Sequence, residues 1–141
     1  MNILAIDYGS KNIGLAWVQA GLDVVLPFGR ISALSGTGKG RGGVEDVARV
    51  IKEEGVGLAV VGLPLGLDGK ENENTRRVRS FARELRQAAG IPVKLFDERF
   101  TSQAADRLGQ GGASRDEKAA MAILETYLGQ EKRSGSGPDR L

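Results

Sequence analysis

The chain has 141 residues and a formal net charge of +2, from 20 Lys and Arg against 18 Asp and Glu. It contains no His and no Cys, which excludes disulfides, imidazole catalysis and thiolate chemistry. The length fits one domain with a single core. Without Cys or a charged-then-apolar leader we expect a cytoplasmic protein, and its most apolar stretch, residues 55–67, is too short to span a membrane.

The first part of the chain predicts three consecutive strands. Residues 3–6 form a continuous apolar run, as expected for a central strand buried on both faces. Turn-forming residues 9–12 lead to a second strand at residues 13–18, and a third is predicted at residues 24–31. Pro27 interrupts the third strand, and a sheet tolerates proline best at an edge. We therefore expect an antiparallel meander.

The middle of the chain predicts a parallel crossover. A glycine-rich segment, residues 35–43, leads into a helical pattern with four apolar residues on one face. These residues are Val44, Val47, Val50 and Ile51. A β-branched apolar run at residues 58–63 follows, and a helix followed by a buried strand is typical of a parallel connection.

The last part of the chain alternates helix and strand. A helix is predicted at residues 75–89, closed by Gly90 in a C-terminal cap position. A strand at residues 92–96 follows. Two further helices are expected at residues 101–108 and 114–128.

Together these elements predict an α/β fold with a mixed five-stranded sheet, three strands antiparallel and two parallel, flanked by helices. Residues 129–138 contain no apolar side chain. We therefore expect one domain at residues 1–128 and a disordered polar tail at residues 129–141.

Four carboxylates stand at predicted boundaries of the core. Asp7 follows the first strand, Asp97 and Glu98 follow the last strand, and Asp116 lies in the first turn of the last helix. Carboxylates at such positions are costly unless a cation neutralises them, and no nearby basic residue is evident in the sequence. Since His and Cys are absent, a hard divalent cation such as Mg²⁺ or Mn²⁺ remains as the partner, and such ions most often serve phosphate chemistry.

These acids are expected to meet at one edge of the sheet. If the later strands run parallel to the first, Asp7 lies beside Asp97 and Glu98. Asp116 lies in the middle of the apolar stripe of its helix, which directs it towards the sheet. Each acid alone also has a structural explanation: an Asx turn, a charge ahead of a helix, or part of the capping box that begins at Ser114. Their coincidence favours a metal site.

Basic residues supply candidate contacts to phosphates. Four arginines fall on one side of the second predicted helix, within an arc of roughly 80°. They are Arg76, Arg79, Arg83 and Arg86. Such a stripe binds nucleic-acid backbones, although a charge run is often only a solvated face, and both interpretations stay open. Lys39 and Arg41 are further candidates in the glycine-rich segment, which lacks the residues of a P-loop.

Four motifs, in order and with matching spacing across residues 1–128, resemble the YqgF/RuvX family. They are IDYGSK at 6–11 with IG at 13–14, VGLP at 61–64, DERFTS at 97–102, and Asp116 ahead of AA at 119–120 and IL at 123–124. Lys11 and Arg99, within these motifs, join the candidate nucleic-acid contacts. Asn12 stands where many relatives carry Arg, and residues 35–43 are unusually glycine-rich, departures that concern substrate contacts.

The resemblance implies a ribonuclease H-like fold and a metal-dependent nuclease. Its substrate would be nucleic acid, either branched Holliday junction DNA or the 5′ end of precursor 16S rRNA. By position, Asp7, Glu98 and Asp116 match the family's acidic metal ligands, and Asp97 is a less certain neighbour. On this analogy Asp7 bridges two Mg²⁺ or Mn²⁺ ions, and Glu98 and Asp116 each complete one of them.

Two other classes of function stay open. The hairpin at residues 7–10 also resembles the phosphate-binding turn of actin-like ATPases and sugar kinases, but those enzymes close two domains over a nucleotide and this chain supplies one. The other alternative is a nucleic-acid-binding module without catalysis. The sequence shows neither an aromatic platform for stacking bases nor a clear dimer seam, although a homodimer would suit a symmetric junction.

Overall fold

Five strands form one sheet in this computed structural model, which describes residues 1–33, 43–100 and 114–134. They are β1 (Asn2–Tyr8), β2 (Asn12–Val18), β3 (Leu26–Ser32), β4 (Val56–Leu63) and β5 (Val93–Asp97). Their order is β3-β2-β1-β4-β5. β2 is antiparallel to both β1 and β3, whereas β4 runs parallel to both β1 and β5. The predicted mixed sheet is confirmed, and the strand that contains Pro27 lies at an edge.

Helices cover both faces of the sheet. They are α1 (Val44–Glu53), α2 (Glu73–Ala89) and α3 (Arg115–Ser134), and a single 3₁₀ turn, Glu98–Phe100, follows β5. Successive strand residues point to opposite faces. Leu4 and Ile6 of β1 therefore join the core formed with α1 and α2, whereas Ala5 joins the core formed with α3. Asp7 has the same parity as Ala5 and lies on the α3 face.

Side-chain caps fix the starts of two helices. At α2 the Asn72 side chain accepts from the Thr75 amide at 3.1 Å, and the Thr75 hydroxyl oxygen accepts from the Asn72 amide at 3.1 Å. The predicted capping box of α3 is confirmed, because Ser114 and Glu117 bond each other's backbone amides through their side chains. Gly90 ends α2 with a φ of 72°, as predicted.

Several element ends differ from the prediction by one or two residues, and two further differences have a clear cause. β1 continues to Tyr8, so Asp7 lies within the strand instead of after it, because it pairs with Gly14 in the β1–β2 hairpin. α3 continues to Ser134, beyond the helix end expected at residue 128, because the intervening residues include the good helix formers Gln, Glu, Lys and Arg. The rest of the predicted tail, residues 135–141, lies outside the described residues.

Some predictions concern segments outside the described residues. These are the short helix at residues 101–108 and most of the glycine-rich segment, including Lys39 and Arg41. Among the helices that the structure describes, none combines the length and apolarity needed to cross a bilayer.

Candidate active site

A row of residues across the sheet places Asp7 between two glycines. From the β3 edge, Arg30 pairs with Gly14, and Gly14 pairs with Asp7. On the other side of β1, the parallel register with β4 brings Gly62 beside Asp7. The sheet positions that flank Asp7 therefore carry no side chains.

Gly14 and Gly62 leave room for the other two acids to approach Asp7. A Cβ at Gly14 would overlap the backbone carbonyl of Asp116 and stand 3.0 Å from its Cβ, so the first turn of α3 lies directly on β2. A Cβ at Gly62 would stand 3.0 Å from Oε1 of Glu98 and 2.6 Å from Cδ1 of Ile123. Asp116 thus approaches Asp7 from one side and Glu98 from the other.

Asp7 interacts electrostatically with both of the other acids. Burial raises the pKa of Asp7, and the charge of Asp116 raises it further. Burial also raises the pKa of Glu98 to about 7, with smaller contributions from Asp7 and Asp97. Asp7 is therefore common to two carboxylate pairs. Carboxylates held together in this way repel one another until a cation offsets their charge.

Asp97 and Asp116 have cationic partners, which corrects the expectation that nothing nearby neutralises the acids. Arg99 donates to Oδ2 of Asp97 from Nε at 3.0 Å and from Nη2 at 2.7 Å, and this bonding lowers the pKa of Asp97. Nη1 of Arg30 lies 3.5 Å from Oδ2 of Asp116. Arg99 can contact Asp97 because the chain turns directly after β5. Arg30 lies near Asp116 because of the strand register of the sheet. Asp97 consequently faces Arg99, while Glu98 faces Asp7.

The donor atoms around Asp7 suit a hard divalent cation. They are carboxylate oxygens, which Mg²⁺ and Mn²⁺ prefer. As the side chains are placed, residues 1–33, 43–100 and 114–134 contain no group of three or more acidic residues that could together hold a metal ion. The acids instead form two pairs that share Asp7. The chemistry of the donors therefore fits a divalent cation, while the closed coordination sphere is not formed.

The predicted arginine stripe lies on the side of α2 opposite its buried residues. Two of its members are already engaged by acids. Arg76 pairs with Glu73 at 3.2 Å, and Nε of Arg79 lies 2.9 Å from Oε2 of Glu71. Arg83 and Arg86, both exposed, make no ion pair within the part of the chain that the structure describes. These two arginines are therefore the stripe members available for phosphate contacts.

The remaining basic candidates differ in availability. Lys11 is exposed in the turn between β1 and β2, close to Asp7 in sequence. Arg99 is held by Asp97. Two further arginines were not predicted from the sequence. They are Arg30, whose relation to the acids depends on strand register, and Arg77, whose guanidinium lies 5.7 Å from the ring centroid of Tyr8.

Arg77 marks a second concavity, on the opposite face of the sheet. Tyr8 stacks on Phe81 with ring centroids 4.2 Å apart, and a cavity of about 310 Å³ opens beside them. Its charged lining is balanced, with Arg76 and Arg77 against Glu73 and Glu84. This cavity is separated by the sheet from the acids around Asp7.

A family model described as RuvX: Holliday junction resolvase matches residues 1–130. The chain belongs to the RuvX family. Among RuvX relatives, a protein from Maridesulfovibrio salexigens is 35% identical over 136 residues, covering 91% of this chain and 98% of the relative. One from Anaeromyxobacter sp. strain Fw109-5 is 39% identical over 136 residues, covering 91% and 96%. Both are provisionally named pre-16S rRNA nucleases.

Solved structures show the same fold for this RuvX family member. Thermus thermophilus RuvC in complex with a Holliday junction substrate matches with a TM-score of 0.67 at 20% identity, covering 96% of this chain and 97% of that chain. The expected ribonuclease H-like architecture is thereby confirmed. At this level of identity the likeness concerns the fold alone.

Proposed function

We propose that this RuvX family member is a metal-dependent endonuclease that hydrolyses phosphodiester bonds in structured nucleic acid. The observation that supports it most directly is the approach of Asp116 and Glu98 to Asp7 over two glycines. Family membership supports the nuclease class, and the absence of His and Cys from the chain leaves carboxylates as the chemical groups of the site.

In this proposal Asp7, Glu98 and Asp116 would hold Mg²⁺ or Mn²⁺. Because Asp7 interacts electrostatically with both other acids, we propose that two ions would be held, one by Asp7 with Glu98 and one by Asp7 with Asp116. When bound, such ions lower the pKa of the attacking water and stabilise the leaving oxygen. We leave Asp97, the less certain candidate, out of the proposed set, because its carboxylate is paired with Arg99.

Arg30 has a supporting role in the same site. Its guanidinium neutralises part of the charge of Asp116, and its side chain remains 53% exposed. An exposed arginine in the same row as Asp7 also faces the side from which a phosphate backbone would approach. Arg30 therefore offsets part of the charge of Asp116 and adds positive charge at the rim of the site.

Two substrates fit this chemistry. The relatives' names indicate precursor 16S rRNA, and the RuvC neighbour was solved with a Holliday junction. A four-way DNA junction, a precursor 16S rRNA and a single-stranded RNA should be assayed side by side with Mn²⁺. We expect cleavage of one of the first two. If the junction is the substrate, we propose that a homodimer cuts its two symmetric strands, which sedimentation of the complex tests.

The control for this assay is a pair of matched acid-to-amide variants. Asp7→Asn should abolish cleavage while leaving substrate binding nearly intact, and Asp23→Asn, at an exposed position at the other end of the sheet, should cleave normally. Cleavage by Asp7→Asn at the wild-type rate would remove Asp7 from the mechanism. Binding without cleavage of any of the substrates would instead support a binding module that lacks catalysis.

A further inference from the structure

A β-bulge in the edge strand β3 turns Arg30 towards the acids. Along the β2–β3 ladder, Ala16 pairs with Pro27. The neighbouring residue Leu15 pairs with Gly29, so β3 contains one additional residue at this point. Gly29 has a φ of 131°, a conformation that favours glycine. Because a bulge redirects the side chains that follow it, this one decides on which face of the sheet Arg30 lies.

The effect of the bulge follows from the alternation of side chains along a strand. Arg30 pairs with Gly14, on the face of the sheet that carries Asp7 and α3. Without the additional residue, Arg30 would pair with Ile13, which is fully buried in the core formed with α1 and α2. The bulge thus places Arg30 in one row with Asp7, two strand spacings or roughly 10 Å away along the sheet.

Arg30 is held only loosely by its acidic partner. Its Nη1 lies 3.5 Å from Oδ2 of Asp116, and its guanidinium makes no hydrogen bond to any residue in the described part of the chain. Arg99, in contrast, donates to Asp97 from two nitrogens. A partly exposed pair at this separation contributes little to stability, so Arg30 can exchange Asp116 for another anion at little cost.

We propose that Arg30 exchanges Asp116 for a phosphate of the bound strand once a divalent cation offsets the charge of Asp116. This inference rests on the proposed nuclease function and adds a coupling between the cation and the nucleic acid. A planar guanidinium matches the oxygens of a phosphate, and that of Arg30 is half exposed beside the acids. In the metal-free protein, Asp116 competes with the phosphate for this arginine.

The exchange makes cation binding and nucleic-acid binding depend on each other. With the charge of Asp116 offset, Arg30 adds one phosphate contact, so a divalent cation strengthens nucleic-acid binding. Bound nucleic acid must then strengthen cation binding by the same factor. Removing the charge of Asp116 by substitution should release Arg30 in the same way, without any metal.

The first test is a double-variant cycle in EDTA, which separates Arg30 from the metal. Anisotropy measures the binding of a four-way DNA junction and of a precursor 16S rRNA fragment over a range of salt concentrations. We expect Asp116→Asn to steepen the slope of log K against log salt concentration by about 1, because one more phosphate is neutralised. This corresponds to about a 3.5-fold larger loss of affinity for an about fourfold rise in salt. In the Arg30→Gln background, Asp116→Asn should leave the slope unchanged.

The matched control is Asp46→Asn, which releases Arg49 from a similar exposed pair. This pair lies on α1, which packs on the opposite face of the sheet from the acids. Asp46→Asn should therefore leave the salt dependence of binding unchanged.

The second test is calorimetry with Mn²⁺ alone, without nucleic acid. Because Arg30 and the cation compete for Asp116, Arg30→Gln should bind Mn²⁺ more tightly than the wild type does. Arg49→Gln should bind Mn²⁺ as the wild type does. This test needs no substitution of an acid, so it applies even if Asp116→Asn does not fold.

Two results of the cycle would overturn the exchange. One is an unchanged slope in Asp116→Asn, and the other is a slope that steepens equally with and without Arg30. Equal Mn²⁺ binding by Arg30→Gln and wild type, or none by either, would overturn it as well. The nuclease proposal is tested separately, because cleavage that requires Asp7 can persist without this coupling, and the coupling can exist in a protein that does not cleave.

Discussion

The main chain of Asp116 lies directly on Gly14, the residue that pairs with Asp7 across the first hairpin. This contact brings an acid from the last helix next to an acid from the first strand. It requires that the intervening residue on β2 have no side chain. The site therefore depends on Gly14 because a larger side chain would occupy the space filled by α3. The backbone flexibility of glycine is not the reason.

Gly14→Ala should destabilise the protein by about 1–3 kcal/mol or more, because the new methyl group must displace the first turn of α3. Gly129→Ala is the matched control. A Cβ there has nothing within 4 Å, and replacing a helical glycine by alanine should raise stability by roughly 0.5–1 kcal/mol. Denaturant unfolding of both variants measures the difference. Equal stability of Gly14→Ala and wild type would mean that α3 does not lie on β2 as described.

Asp7→Asn should stabilise the metal-free protein while abolishing cleavage. Burial and the charge of Asp116 both disfavour the ionised carboxylate, so its removal should add roughly 0.5–2 kcal/mol. Thermal unfolding in EDTA measures this gain. Added Mn²⁺ should then raise the melting temperature of the wild type more than that of the variant. A variant less stable than wild type in EDTA would show that Asp7 is not under electrostatic strain.

The stability of the metal-free protein should fall as the pH rises from about 4.5 to about 7. The pKa of Glu98 is about 7 in the native chain against an ordinary value of 4.5, so the native state binds more protons than the unfolded state in this range. Melting temperatures in EDTA across this range measure the slope. Glu98→Gln should flatten the slope, whereas Glu53→Gln on the exposed side of α1 should leave it unchanged. The same slope in Glu98→Gln would assign the effect to other groups.

Arg30→Gln should lower the stability of the metal-free protein by less than about 1 kcal/mol, since the pair with Asp116 is partly exposed. Mn²⁺ should reduce the difference, because a bound cation supplies the charge that Arg30 provided. Arg49→Gln breaks a similar exposed pair with Asp46 on α1, and its effect should not depend on Mn²⁺. Melting curves with and without Mn²⁺ compare the two variants. If Mn²⁺ changes the stability of both variants equally, Arg30 has no role in the metal site.

Arg83→Glu should weaken nucleic-acid binding and reduce the slope of log K against log salt concentration by about 1. Arg79→Gln should change the slope less, because Arg79 is already engaged by Glu71. Filter binding or anisotropy between low and moderate salt measures both. A slope unaffected by Arg83→Glu would leave the arginine stripe as a solvated face of α2.

Local patterns were enough to predict much of the fold. The continuous apolar run of β1, the proline in β3 and the capping box at Ser114 each reflect interactions within a few residues, and each is found as expected. Apolar runs, turn residues and helical periodicity similarly predicted the mixed sheet. The end of β1 was predicted too early, because the pairing of Asp7 with a residue of β2 is not a local property.

The sequence by itself determined the kinds of chemistry available, since it contains carboxylates and arginines but no His or Cys. It also determined which acids lie at strand ends and helix starts. Only the tertiary structure decided that Arg30 faces Asp116, that Glu98 and not Asp97 faces Asp7, and that two glycines make room for these approaches. Strand register and helix docking set those relationships, and both arise from contacts between residues far apart in the chain.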